Sequence, residues 1–281
     1  MSQAAEKYTW AYRRYLLIRG PKHGLPRLIQ ASFATEQRLR HHDLAAFMEH
    51  PPTKQAPLLF YPGCYVYSLK TVQATRKVLD HIGTSYQILG GVSYCCGLPH
   101  TLQGRHAEAR ECATRLSAAI AAVNPKIIVT SCLECLEALH HLKQETSATY
   151  DVLHVLEYIQ QHRTRFPNVH STTPLILHEP CRFSKFPSVK AAAETLITSL
   201  GITLQFLPPD TPRCCRRWHH GDPANHTQRR TIVDATASAH ARLVCPCLTC
   251  QEAFKEICPT APLLDLVDLF AQSLQPKEMT P

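Results

Sequence analysis

From Pro57 onward, short apolar runs alternate with longer segments whose apolar residues recur at helical spacing. "PLLFYPGC" is an apolar run closed by a turn, which predicts a buried strand. Leu69, Val72, Leu79 and Ile82 then fall on one face of a helix. "SYQIL" predicts a second strand, followed by the turn-rich "GGVSYCCGLP". Residues 104–123 predict a long helix carrying Cys112, Leu116, Ile120 and Val123 on one stripe. "PKIIVTSC" is then a strand running into the helix "LECLEALHHL". The same order returns in the second half. "PLILHEPC" is a strand, "SVKAAAETLITSL" a helix and "ITLQFLP" a strand. A loop with a Cys-Cys pair follows, then a helix over about 227–240, the strand "ARLVCPC" and the helix "LTCQEAFKEI".

Alternation of this kind predicts an α/β fold with parallel sheets and short crossovers. Two tandem copies predict two Rossmann-like parallel-sheet domains facing each other across a pseudo-two-fold axis. The expected boundaries are a helical N-terminal extension at 1–55, a first cysteine-rich domain at 56–150, a connecting helix at 151–171 and a second domain at 172–281. "DVLHVLEYIQQHRTRF" is the bridging helix in that scheme.

Charge and apolar content narrow the class of protein. No apolar run approaches the roughly 18 residues of a membrane span. "YRRYLL" superficially matches a twin-arginine export signal, but charges, glycines and prolines follow where an apolar stretch belongs. The expected compartment is therefore the cytoplasm, with attachment to the inner membrane only through a partner subunit. The net charge of +8 comes from 30 Lys and Arg against 22 Asp and Glu. There is no run of five or more basic residues and no nucleic-acid motif, so no nucleic-acid partner is expected. A solvated basic surface or a docking face for acidic partners accounts for the excess.

The 13 cysteines change the picture most. Disulfides rarely persist in the cytoplasm, so metal binding or redox chemistry leads. The first half carries Cys64, the pair Cys95 and Cys96, and a CxxC at Cys132 and Cys135. The second carries Cys181, the pair Cys214 and Cys215, and a CxxC at Cys247 and Cys250. All fall at C-terminal strand ends or in the loops beyond them, the edge of an open α/β sheet where ligands bind. A CxxC at a helix start offers two thiolates near free N–H groups and the positive end of the helix dipole. Adjacent cysteines diverge and so reach different metal atoms. Five thiolates exceed the four ligands of tetrahedral zinc and the four of a cubane 4Fe–4S cluster. The count points to an unusual multinuclear site.

"YPGC…CCG…SCLEC" and "HEPC…CC…CPCLTC" resemble the twin CCG motifs of heterodisulfide reductase B/D-type subunits. The same motif family includes iron–sulfur subunits of glycolate, lactate and glycerol-3-phosphate oxidoreductases. The resemblance covers about residues 56–258. It implies a noncubane 4Fe–4S cluster at each full motif, with all five cysteines of each half as ligands. It also implies an oxidoreductase in which two clusters flank a substrate disulfide at the domain interface and cleave it by one-electron steps. Some relatives have degenerate motifs, hold zinc or carry electrons only. The second pair here reads Cys-Cys-Arg rather than Cys-Cys-Gly, and Arg213, Arg216 and Arg217 crowd it. Arginine lacks glycine's permissive backbone, so the second site is open to a cluster or to zinc. Those arginines would offset cluster charge, bind an anionic substrate or face solvent. A fused ferredoxin-like run is absent from these residues, so a ferredoxin-like subunit, a flavoprotein or a membrane cytochrome is the expected electron partner.

The remaining candidates are simpler. His178 and Arg216 are the catalytic candidates. His178 and Glu179 beside Cys181, and His100 after the first Cys-Cys loop, are placed to donate protons to a cleaved thiolate, or merely lie nearby. His219 and His220 read as an exposed loop or metal ligands. Cys112 and Cys258 read as core, whereas Cys245 would replace a ligand, shield a cluster or be a plain buried thiol. Three functions compete. An iron–sulfur electron-transfer subunit, heterodisulfide-reductase-like or from a 2-hydroxy-acid oxidase, leads. A structural or assembly module holding zinc comes next. Thiol–disulfide exchange at Cys132 and Cys135 ranks last, because it leaves the paired cysteines unexplained.

Overall fold

The computed structural model describes residues 54–63, 69–102, 104–167, 173–207 and 224–274. The expected N-terminal helical extension lies outside them. So do Cys64, Cys214 and Cys215, Arg213, Arg216 and Arg217, and His219 and His220.

Two parallel four-stranded sheets with flanking helices make an α/β fold. The first sheet has the order β2-β1-β3-β4, from β1 (Leu58–Gly63), β2 (Tyr86–Gly90), β3 (Ile127–Thr130) and β4 (Asp151–His154). The second repeats it as β6-β5-β7-β8, from β5 (Leu175–Leu177), β6 (Leu204–Gln205), β7 (Arg242–Val244) and β8 (Leu263–Leu264). β1 is buried along its whole length, as expected of a parallel strand covered on both faces. The helices are α1 (Leu69–Ile82), α2 (Leu98–Thr101), α3 (His106–Val123), α4 (Leu133–Thr146), α5 (Val155–Gln161), α6 (Pro187–Ser199), α7 (Ala224–Ser238), α8 (Leu248–Ile257) and α9 (Leu266–Ser273).

Most predicted elements fall where the apolar spacing placed them. Val72, Leu79 and Ile82 of α1 are buried, as are Cys112, Leu116, Ile120 and Val123 of α3. The bridging helix is corrected. Its first four residues, Asp151–His154, extend and pair with β3, so the α-helix is confined to Val155–Gln161 and a 3-10 turn follows at Arg163–Arg165. The switch is made at His154, whose side chain caps α5 by accepting from Leu156 N at 3.3 Å. Glu157 in turn accepts from His154 N at 2.8 Å. β8 and α9 meet in the same way at Asp265, whose carboxylate accepts from Val267 N at 3.0 Å.

A continuous apolar core runs through both halves. α1 packs on α9, and α5 packs on α6. Polar contacts lock the joint. Thr71 donates to Asp265 at 3.0 Å, and Arg163 donates to the hydroxyl and the carbonyl of Ser199 at 2.7 and 2.9 Å. Glu137, buried on α4, pairs with Arg182 and Lys185 from the turn after β5. No described helix is long and apolar enough to cross a membrane.

Candidate metal centre

The loops at the C-terminal ends of parallel strands lie along one sheet edge, so those after β2 and β3 deliver Cys95, Cys96, Cys132 and Cys135 to a common place. Cys95 and Cys96 follow a short 3-10 turn after β2. Cys132 caps α4, and Cys135 sits in its first turn. All four are buried, and none is in a disulfide. Cys135 Sγ lies 3.8 Å from Cys96 Sγ and donates to it. Hydrogen bonds from Cys135 and Cys95 hold the Cys96 thiol well below its ordinary range. Cys135, bonded to Cys132 and Cys96, is pushed the opposite way. A thiolate favoured at Cys96 and buried among other thiols is negative charge that a metal ion would offset.

Two glycines make this packing possible. Gly97, the glycine of Cys-Cys-Gly, has φ +81°, and a Cβ there would lie 2.9 Å from the Ala109 carbonyl oxygen and 3.2 Å from Cys112 Cβ. Its N–H reaches Cys95 Sγ at 3.5 Å. Gly63 has φ +92°, and a Cβ there would lie 2.9 Å from Cys135 Sγ. The chain before Cys64 thus passes hard against the CxxC cysteine, a cradle that a side chain would fill.

Cys112 keeps its predicted place on the α3 stripe but is more than core, because it packs on Cys95. The hydrogen bond to Cys95 and burial push its thiol up to about 12, with His100 pulling the other way. His100 is therefore placed beside the first Cys-Cys loop.

The second half is arranged differently. Cys247 caps α8 and is buried, as is Cys250 in its first turn, whereas Cys181 is exposed at the start of a 3-10 turn. His178 and Cys245, singled out separately in the sequence, meet Cys250. One ligand atom from each of the three lies within 4.8 Å of the other two. His178 is 1% exposed and stacks edge-on against Phe254 at 4.9 Å. Cys245 donates to the Cys247 carbonyl at 3.5 Å, and its own carbonyl accepts from Gln251 at 2.7 Å. Glu179 is held by Lys190 at 2.9 Å, and Cys258 lies half-buried at the end of α8.

Between the halves lies a small cavity lined by Ser131, His154, Pro246, Gln251 and Asp265, among others. Burial pushes the His154 imidazole down to about 4. Burial and the neighbouring Asp268 push Asp265 up. Sequence reasoning passed over both residues. The available signal was an N-cap position after a short extended run.

Residues 58–140 match the family model described as CCG, cysteine-rich domain. That span takes in all five cysteines of the first set. Such a domain, with its clustered buried thiols, suggests metal binding. A comparison with curated proteins finds no match. Among solved structures, a glutamate racemase isoform from Bacillus anthracis is similar at 11% identity and a TM-score of 0.36, covering 80% of this chain and 81% of its own. An aspartate racemase homologue from Pyrococcus horikoshii OT3 is similar at 10% identity and a TM-score of 0.36, covering 78% of this chain and 96% of its own. At these TM-scores neither similarity bears on function.

Proposed function

We propose that this chain is an iron–sulfur subunit of a multi-subunit oxidoreductase of the heterodisulfide-reductase type. The observation that carries the reading is the Cys96–Cys135 sulfur contact of 3.8 Å, inside a buried group that also holds Cys95 and Cys132. These thiols fit a metal–thiolate cluster by number, burial and mutual contact. With Cys64 they make the five ligands that the resemblance assigns to a noncubane 4Fe–4S cluster. Such a cluster supplies one-electron transfer when bound.

The chain's own residues prepare the site for that chemistry. The first turn of α4 directs N–H groups and the positive dipole end at Cys132 and Cys135, where a bound metal–thiolate group would carry negative charge. The Gly97 N–H at Cys95 Sγ and the burial of the whole group tune the potential of anything bound there. Reciprocal packing, α1 on α9 and α5 on α6, supports two tandem Rossmann-like domains related by a pseudo-two-fold. Electrons would arrive from a ferredoxin-like subunit, a flavoprotein or a membrane cytochrome, with a disulfide or another small molecule as substrate. A 2-hydroxy-acid oxidase subunit would use the same first site.

Anaerobic purification with iron and sulfide analysis and EPR tests the reading. Wild type should be brown and paramagnetic on reduction, and Cys96→Ser should lose the iron of the first site. Equal iron in both proteins, or a colourless wild type, would sink it.

A further inference from the structure

We infer that the second half contains a mononuclear zinc site whose protein ligands are His178, Cys245 and Cys250. Two of the three, His178 and Cys245, lie outside the five-cysteine pattern. The inference goes beyond the iron–sulfur reading of the first half and stands or falls separately from it.

Geometry comes first. Ligand atoms on a tetrahedral zinc, at about 2.0 Å for nitrogen and about 2.3 Å for sulfur, lie about 3.5 to 3.8 Å from one another. The three atoms here are all within 4.8 Å of one another, so small side-chain rotations close them onto one ion. His178, Cys245 and Cys250 are 1%, 0% and 3% exposed. Charge agrees with burial. Two thiolates and a neutral imidazole around Zn2+ sum to zero, which removes most of the cost of placing ions in a dry interior. A mixed nitrogen and sulfur set is also the donor chemistry that zinc takes.

The repeat supplies an independent argument. Cys64 and Cys181 stand at the same distance past Leu58 and Leu175, as do Cys132 and Cys247 past Ile127 and Arg242. In that alignment His178 occupies the place of Tyr61, and Cys245 the place of Thr130. Tyr61 and Thr130 are register partners on adjacent strands, so their side chains share a face. In the first half this pair makes ordinary hydrogen bonds. Tyr61 donates to the Tyr94 carbonyl at 2.6 Å, and Thr130 accepts from Cys132 N at 3.3 Å. In the second half both positions have become metal-binding residues, and Cys250 completes them.

The ligands stand on rigid supports. His178 N donates to the Val244 carbonyl at 2.8 Å and Cys245 N to the Leu264 carbonyl at 3.2 Å, which continues the sheet through both residues. Phe254 fixes the imidazole plane, and Gln251 pins the Cys245 loop. Such preorganisation is what a tight site needs. Three ligands among the described residues leave one tetrahedral position for a fourth.

The test is zinc analysis with zinc-edge X-ray absorption on the full chain, alongside iron analysis. Wild type should hold tight zinc with sulfur scattering and the outer-shell signature of an imidazole. His178→Ala should lose the imidazole signature, and Cys245→Ser should weaken zinc binding at least tenfold. Cys258→Ser, outside the set, should match wild type, and circular dichroism checks that each variant folds. Absence of imidazole scattering in wild type, its survival in His178→Ala, or full zinc affinity in Cys245→Ser would each overturn the site. Loss of iron with zinc retained would overturn only the iron–sulfur reading.

Discussion

The two halves share a strand order and a cysteine spacing, yet they surround their thiols differently. Before Cys64 the first half has Gly63 at φ +92°, which lets the strand end lie against Cys135. The second half has Pro180 at φ −62° in the corresponding place, and Cys181 is exposed. In the alignment of the two halves Tyr61 and Thr130 correspond to His178 and Cys245, and Gly97 corresponds in sequence to Arg216. The sheet decides where donor groups emerge. The residues flanking each strand end decide which of them can meet. Among the described residues, the first half brings together a group of thiols, and the second a histidine with two cysteines.

The comparison requires that the halves form one body, and Glu137 is the strongest test of that. Its buried carboxylate is paired with Arg182 and Lys185 from the other half. Glu137→Gln leaves the Arg182 guanidinium, with its side chain 12% exposed, without its counter-charge. Breaking one partner of a buried pair costs about 3 to 5 kcal/mol. Urea unfolding should register that loss, whereas removing the more exposed Lys185 should cost less than about 1 kcal/mol. Equal small effects would mean that the apolar contacts alone hold the joint.

The next largest effect sets the two N-caps against each other. His154 is held neutral in the fold, with its pKa pushed from 6.5 down to about 4. Between those values the unfolded chain binds more protons, so stability falls as the pH drops from about 6.5 towards 4. The lost stability is about 3 kcal/mol. Asp265 works with the opposite sign. Its pKa is raised, so its contribution is present below 3.8 and is lost as the pH rises through the folded value. His154→Gln should flatten the acid limb of a stability–pH profile, and Asp265→Asn should steepen it. An acid limb unchanged in His154→Gln would remove this contrast.

Much of this fold is legible along the chain because its longer elements satisfy simple periodicities. Ile127, Ile128 and Val129 form an unbroken apolar run, and Leu116, Ile120 and Val123 keep helical spacing. The elements that escaped are those whose local pattern belongs to a neighbour. Asp151–His154 runs directly into the apolar stripe of α5, and Leu263–Leu264 is absorbed by "LLDLVDLF". Only pairing with β3 and β7 makes them strands. The first group of thiols could be read from spacing alone. The meeting of His178 with Cys245 could not, because it depends on the register of two strands far apart in sequence.

Gly63 offers a smaller but more local test. A left-handed conformation costs a non-glycine residue about 1 to 3 kcal/mol, and the new Cβ would also press on Cys135 Sγ at 2.9 Å. Gly63→Ala should therefore destabilise the protein by about 2 kcal/mol and lower the iron content of the first site. Pro180→Ala, with no positive φ to hold, should stay within about 1 kcal/mol of wild type. Thermal unfolding and metal analysis of the pair measure the asymmetry directly.

Tyr61→Phe carries the smallest expected effect and tests the repeat alignment most sharply. The hydroxyl donates to the Tyr94 carbonyl at 2.6 Å, just ahead of the Cys-Cys loop. Losing that bond costs about 1 kcal/mol, and no thiol is removed, so iron at the first site should be unchanged. The corresponding change in the second half, His178→Phe, keeps an aromatic ring at the same strand end but removes a nitrogen donor. If the two positions are equivalent in the fold and different in chemistry, Tyr61→Phe lowers stability slightly and leaves the metals alone, whereas His178→Phe removes the zinc. Loss of metal from both variants would mean that Tyr61 also belongs to a metal site, and loss from neither would leave the two strand ends with the same structural role.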